Sequence, residues 1–383
     1  MKFLHTADWH VGKTLKSRSR LDEQRAVLGQ IIDIAIAEQV DAVLIAGDLY
    51  DTAAPSPEAQ KLVHAALLKL QEAEIHVVVI AGNHDRAGSF EALRPLMNMV
   101  GIEYVGEPRL PADGGVHRFI AASTGEEVVV ALLPFLSRRH VIRAEEIVTN
   151  TPSQNAGLYE ESIREILGAL AAEFSPSTVN IVMGHLTCTG GVMGGGEREA
   201  QSIFEYHVSA QAFPLDAHYV ALGHLHRRQA IPAACPVHYS GAPLSVDFGE
   251  QENTPVVCVV EVGVNTPAVI RDVPITSAKR LQTVTGTVAE LLAAASGYGE
   301  DYLRVYVREK ARAGLREEVV DALPNALEVR IHPDYLEAER RPSPRDTKSS
   351  SHDLFTDYCA EAQLEDPDVI ALFDELLDEI AGR

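Results

Sequence analysis

Short apolar runs separated by polar, helix-compatible stretches dominate the first third of the chain. Runs at 2–7, 41–46, 75–81 and 102–105 are rich in Val, Ile and Leu, the signature of strands buried on both faces. Between them, helical spacing fits at about 20–38 and 57–72, the second opened by Ser56-Pro57 as cap and first turn. Strand and helix in alternation predict an α/β layer. Two short strands are predicted within 116–135 and a helix over 157–173. Strands return at 178–184, 218–222, 236–240, 255–262 and 267–273 with few helices between them, which predicts two sheets packed face to face. From Pro274 to about Pro333, strand-like runs at 280–287, 302–308 and 327–332 alternate with helical stretches at 288–296 and 311–322. That stretch predicts a small α+β domain. Arg340 to Ser350 has linker composition, with Pro, Ser and charge but no apolar residue. After it, Val369, Ile370, Leu372, Phe373, Leu376, Leu377 and Ile380 keep helical spacing on one side, and the other side is nearly all acidic. The predicted layout is therefore 1–273, 274–339, a linker at 340–350, and a helical segment at 351–383.

Four of the strongest apolar runs end in a glycine followed at once by a metal-ligand residue type. They deliver Gly47-Asp48, Gly82-Asn83-His84-Asp85, Gly184-His185 and Gly223-His224-Leu225-His226. The N-terminal run delivers Asp8-Trp9-His10. Ligands of open α/β sheets bind outside the carboxyl ends of the strands, so five such ends predict one site. Asp8 and His10 are two apart on what reads as an emerging strand, which predicts side chains on one face; His224 and His226 repeat the spacing. Carboxylate and imidazole without cysteine suit hard or borderline divalent ions such as manganese, iron, zinc or magnesium. Asp8, His10, Asp48, Asn83, His185, His224 and His226 are too many ligands for one four-coordinate ion. They fit two ions sharing a carboxylate, with Asp48 the expected bridge because it follows a glycine turn.

These residues resemble the calcineurin-like metallophosphoesterase superfamily, whose pattern is D-x-H, G-D-x-x-D, G-N-H-[DE], G-H and G-H-x-H. All five elements stand here, the second as Gly47-Asp48-Leu49-Tyr50-Asp51. The resemblance implies a two-sheet αββα sandwich followed by a small α+β capping domain and C-terminal helices. It implies one metal held by Asp8, His10, Asp48 and His226, and a second by Asp48, Asn83, His185 and His224. Manganese is the ion expected first, with magnesium or iron as alternatives. Two such ions clamp a phosphodiester and acidify a bound water. His84 is expected to stabilise developing charge or protonate the leaving oxygen. Within the superfamily, His5 to Lys13, Ala46 to Asp51, Tyr239-Ser240-Gly241-Ala242-Pro243-Leu244 and Asp247-Phe248-Gly249-Glu250 are similar to the SbcD-type DNA nucleases, over residues 1–260. That branch implies cleavage of DNA ends, single strands and hairpins in repair and recombination. It also implies docking of the C-terminal helices on an SbcC-type ATPase, with two nuclease subunits pairing in a heterotetramer. The alternative is a small-molecule phosphodiesterase or phosphomonoesterase of the same superfamily, which would need neither the extra domain nor the tail.

Charge complicates a DNA substrate. The net charge is -22, whereas a nucleic-acid binder ordinarily carries a basic face. Divalent ions would supply positive charge where a phosphate sits, and ten acids against one base crowd into 351–383. Lys13, Lys16 and Arg18, with Arg20, follow the D-x-H motif and are candidates for backbone contact with DNA. Arg138-Arg139 and Arg227-Arg228 are weaker ones. Gly12-Lys13-Thr14 resembles the end of a phosphate-binding loop, but Ala7 stands where that loop needs glycine, so no ATP hydrolysis is expected here. The loop Gly190 to Gly196 is a candidate substrate-responsive segment. The four cysteines lie far apart, and no run reaches the roughly 20 apolar residues of a membrane span. Together with a first strand entered by Lys2, this predicts a cytoplasmic protein without a signal peptide.

Overall fold

A computed structural model of the chain describes residues 1–137, 152–197 and 207–336, with 355, 356, 359 and 369–373. The chain divides into two units, Met1–Val307 with Gly314–Arg330, and Arg308–Ala313 with Ile331–Arg383. In the second, a 3-10 turn forms at Pro333–Tyr335 and the Phe355 and Phe373 rings stack at 3.9 Å. Most of the apolar stripe expected after 351, and all of the 340–350 linker, lie outside the described residues. No helix among those described is long and apolar enough to cross a membrane.

The first unit begins with β1 (Lys2–Thr6), a short hairpin of β2 (Thr14–Leu15) and β3 (Arg18–Ser19), and α1 (Leu21–Ala37). It continues through β4 (Ala42–Ala46), α2 (Pro57–Glu72), β5 (His76–Ile80), α3 (Ala87–Met99) and β6 (Ile102–Val105). Then come β7 (Val116–Ile120), β8 (Glu127–Leu133), α4 (Pro152–Ala171), β9 (Val179–His185), β10 (Thr187–Cys188) and β11 (His207–Val208). They are followed by β12 (Tyr219–Gly223), β13 (Gln229–Ile231), β14 (Val237–Tyr239), β15 (Val256–Gly263) and β16 (Thr266–Pro274). The unit closes with β17 (Leu281–Gly286), α5 (Val288–Ala293), β18 (Tyr302–Val307), α6 (Leu315–Ala322) and β19 (Ala326–Ile331).

Two six-stranded sheets result, ordered β16-β15-β1-β4-β5-β6 and β13-β14-β12-β9-β8-β7. Alternation along each strand assigns its side chains to two cores. Phe3, Leu44, Val78 and Ile80 of the first sheet meet Val128, Val130, Ile181, Met183 and Tyr219 of the second in the central layer. Leu4, Val43 and Ile45 point the other way, into an outer core with α1 and α2. Val182, Val220 and Leu222 likewise pack against Tyr159, Ile163 and Leu167 of α4. Layers of helix, sheet, sheet and helix follow, and the continuous apolar runs are explained because both faces of the central strands are buried. The Ser56 hydroxyl accepts from the Ala59 N–H at 3.2 Å, and Pro57 opens α2.

Helix α3 has no counterpart in the sequence reading. Only Phe90 and Met97 are fully buried on it and Pro95 lies inside, so its apolar stripe is too thin to register as helical period. The small sheet β17-β18-β19 places Leu281 and Tyr302 in one cluster with Leu15 of the hairpin and Phe248. Helix α6 begins at Leu315 rather than near 311, capped by Gly314 in the left-handed region.

Candidate metal centre

All seven expected ligands emerge at the carboxyl ends of the central strands, and the structure gathers them. Asp8, His10 and His226 form one group whose ligand atoms lie within 4.8 Å of one another; Asp48, His185 and His224 form another. Asn83 joins the second group, its Oδ1 lying 2.8 Å from both His185 Nε2 and His224 Nδ1. Asp48 Oδ2 lies 3.5 Å from His185 Nε2 and 3.8 Å from His10 Nε2, which puts it between the groups. The Nε2 atoms of His10 and His226 face each other at 3.0 Å. Buried carboxylates and imidazole nitrogens that converge in this way are the donor set of divalent cations, so the residues fit two ions.

The backbone that delivers these groups is not strand. β1 ends at Thr6, before Asp8 and His10. The expectation that strand alternation orients the pair is therefore corrected. Of the eight non-glycine residues at positive φ among those described, four are candidate ligands: Asp8 (55°), His10 (45°), Asp48 (53°) and His224 (98°). Such conformations are uncommon outside glycine and persist where surrounding structure over-determines them. Here the backbone holds them: Asp8 N–H donates to Gly47 carbonyl at 3.0 Å and His10 N–H to Asp48 carbonyl at 3.0 Å. Asp8 in turn accepts from the His224 N–H at 3.0 and 3.1 Å. The glycines preceding the ligands allow close approach, within the first sheet at Gly82 and between the sheets at Gly223. A Cβ on Gly82 would stand 2.2 Å from Asp48 Oδ1, and one on Gly223 would stand 1.9 Å from the Ala46 carbonyl oxygen.

Second partners fix the rings. His185 Nδ1 donates to the Ala46 carbonyl at 2.8 Å, leaving Nε2 toward Asp48 and Asn83. His226 Nδ1 lies 2.5 Å from Glu250 Oε1. His84 sits beside both groups, and its Nδ1 donates to the Asp51 carbonyl at 2.7 Å while its N–H donates to Asp48 Oδ1 at 2.7 Å. Its partner is thus the Asp48–Asp51 loop and not its sequence neighbour Asp85. Asp85 instead accepts from Leu49, Tyr50 and Gly82 N–H groups, tying two ligand loops together. Glu197 accepts from the N–H groups of His226, Gly194 and Gly195, which anchors the glycine-rich loop to the last ligand pair. Sequence reasoning passed over Asp51, Asp85, Glu197 and Glu250 as functional groups. The only signal for Asp51, Asp85 and Glu250 was their place inside recognisable motifs; Glu197 had none.

The candidate DNA-contacting cations have partners within the chain. Lys13 Nζ lies 3.1 Å from Asp51, Lys16 Nζ lies 3.2 Å from Glu328, and Arg18 stacks over Tyr302 at 5.2 Å. Arg20, grouped with them in the sequence, is buried and bidentate to Glu23. Arg228 is held by Asp272 at 2.8 Å, whereas Arg138 and Arg139 lie outside the described residues. His5 is fully buried against Tyr219 and takes no part in the ligand groups.

Without metal two of the four candidate ligand histidines, His185 and His226, hold protons, whereas burial keeps His10 and His224 neutral. Burial would lower the His185 pKa, but the Asp48 charge outweighs it and raises the ring to about 9. Burial likewise opposes, and Glu250 wins at His226, also about 9. Both folded values lie above the ordinary 6.5, so these charge pairs tighten the metal-free fold fully below that pH and are lost as pH rises through 9. Metal must displace the same protons. Divalent-ion affinity is therefore expected to climb as pH rises toward 9, by up to about tenfold per pH unit for each proton released, and to level off above. Calorimetric Mn²⁺ titrations across that range check this, and a flat profile would show the rings already neutral.

Comparison with known proteins follows the same residues. A model of the calcineurin-like phosphoesterase family matches residues 1–228. The chain is 36% identical over 285 residues to the SbcD subunit of the SbcCD nuclease of Bacillus subtilis, covering 73% of this chain and 71% of the relative. It is 37% identical over 265 residues to the Rhodobacter capsulatus protein of the same name, covering 65% and 64% of the two chains. The Escherichia coli K12 namesake is 31% identical over 254 residues, covering 65% and 62%. The match thus spans less than two thirds of the length of the latter two.

Proposed function

Since the chain belongs to the calcineurin-like phosphoesterase family, we propose that it is the nuclease subunit of an SbcCD-type complex, hydrolysing DNA phosphodiester bonds with two divalent ions. The observation that carries this reading is the convergence of seven candidate ligand side chains in two groups with Asp48 between them and His84 beside both. The relatives that bear the nuclease name supply the substrate class. Bound there, divalent ions of the manganese class would polarise phosphate oxygens and make a water nucleophilic near neutral pH. Asp8, His10, Asp48 and His226 would hold one ion, and Asp48, Asn83, His185 and His224 the other. His84 supplies what the ligands lack. Its Nδ1–H is fixed on the Asp51 carbonyl, so Nε2 is the end that can give a proton to a leaving oxygen. The strand-end glycines let these groups approach at backbone contact distance, which a side chain at Gly82 or Gly223 would prevent.

Lys13 pairs with Asp51 of the loop that carries Asp48, Lys16 and Arg18 meet Glu328 and Tyr302, and binding of DNA would exchange these acidic and aromatic partners for phosphates. The small sheet at 281–331 is assigned to capping the substrate. An SbcC-type ATPase would dock on 351–383, where acids and an apolar stripe share one helical pattern. Two nuclease subunits would pair in the assembly, in the cytoplasm. The absence of a phosphate-binding glycine at position 7 means that any ATP dependence comes from the partner.

The test is cleavage of end-labelled linear duplex and hairpin DNA beside cyclic nucleotides, with Mn²⁺, with and without the ATPase. DNA cleavage that exceeds cyclic-nucleotide turnover is expected. The reverse preference, in the presence of the ATPase, would sink the nuclease assignment. Removing residues 351–383 is expected to abolish co-purification with the ATPase; retained binding would move the docking site elsewhere.

A further inference from the structure

One motif residue remains without a role. Glu250 ends a 3-10 turn, Phe248–Glu250, whose start is capped by Asp247 accepting from the Gly249 N–H at 3.0 Å. Its side chain is 1% exposed, deep enough that a carboxylate needs partners for both oxygens. Oε1 lies 2.5 Å from His226 Nδ1, and Oε2 accepts from the Val246 N–H at 2.7 Å. The glycine-rich loop presses on the same group, since a Cβ on Gly196 would stand 2.0 Å from Oε1. His185, the corresponding ring of the other ligand set, has a neutral carbonyl as its second partner.

We propose that Glu250 is the positioning residue of the ion site formed by Asp8, His10 and His226: its carboxylate holds His226 with Nδ1–H inward and Nε2 toward the ion. The inference rests on the two-ion reading given above. A carboxylate on the far nitrogen fixes the tautomer and raises the ring's basicity toward a metal. The two ion sites then differ in a way their ligand lists do not show, one backed by an anion and the other by a carbonyl. Glutamine at 250 cannot do the same, because its amide offers one acceptor where His226 and the Val246 N–H need two. Aspartate keeps the charge but shortens the reach by one methylene.

Full-length wild type, Glu250→Gln and Glu250→Asp would be titrated with Mn²⁺ alone, by calorimetry and by electron paramagnetic resonance. Wild type is expected to take two ions. Glu250→Gln is expected to bind one of them about 10–100-fold more weakly and the other unchanged, and raised Mn²⁺ should restore its turnover. Unchanged affinity at both sites in Glu250→Gln overturns the assignment. Fewer than two ions in wild type would instead bring down the two-ion reading, and this inference with it. A readout that needs no folded variant is the long-range ¹⁵N–¹H spectrum of metal-free wild type. Recorded above pH 9, where the ring is neutral, it should show His226 protonated at Nδ1 and bare at Nε2, and the opposite tautomer would equally overturn the proposal.

Discussion

Replacing Asp48 with asparagine is expected to reduce bound Mn²⁺ from two ions per chain to fewer than one, and to lower DNA cleavage by at least about 10³-fold, or about 4 kcal/mol. The expectation follows from position. Asp48 is 1% exposed, with one oxygen on the His84 N–H at 2.7 Å and the other 3.5 Å from His185 Nε2. Burial alone would push its carboxyl up, but the charges of His185, His10 and His84 and the hydrogen bond from His185 outweigh it and hold the group ionised well below the usual range. An asparagine amide is neutral and turns N–H donors toward nitrogens that need an acceptor or a cation. If Asp48 bridges the two ligand sets as proposed, both lose a member at once, so neither site is expected to compensate for the other. Elemental analysis of the purified variant gives the metal count, and single-turnover cleavage gives the rate. Two retained ions in Asp48→Asn would show that the sets do not share this residue.

His84→Ala is expected to behave differently: two ions kept, turnover down by roughly 10²–10⁴. The His84 ring packs edge-on against His10, 4.6 Å between centroids, and is anchored by the Asp51 carbonyl. The contact that organises Asp48 is made by the backbone N–H, which alanine retains. Yet His84 also falls within 4.8 Å of His10 and Asp48 as a third grouping of ligand atoms. The variant therefore decides between two roles for one ring. Metal retained with turnover lost makes it the acid, whereas loss of an ion would make it a ligand. A fall in rate on the alkaline side of the pH–rate profile, seen in wild type and missing from the variant, would identify the proton it carries.

Much of this site was legible because the fold writes it at strand ends. Strands buried on both faces appear as unbroken apolar runs, and each run terminates where the chain must turn, at Gly47, Gly82, or the Gly223 that closes the last one. A polar residue directly after such a run has few places to go other than the rim of the sheet. Asp8, Asp48, Asn83, His185, His224 and His226 could be placed together on that argument, and the order of strands predicted two facing sheets. Helix α3 was not legible, because a helix-breaking residue type, Pro95, lies inside it and only two of its residues are buried.

The sequence by itself determined which residue types stand at the strand ends, and thus the candidate ligand set. Only the tertiary structure decided how those side chains are aimed and what backs them. Asp8 and His10 turn through the left-handed region instead of following strand alternation. Glu250 reaches His226 across 24 residues, and Asp85 reaches Leu49 across 36. Lys13, Lys16 and Arg18 meet partners that composition could not name. The physical reason is range. Hydrophobic period and turn chemistry act over a few residues and leave a local trace. The partner of a buried carboxylate or imidazole is whichever group the packed sheets bring within about 3 Å, and that distance exists only after folding.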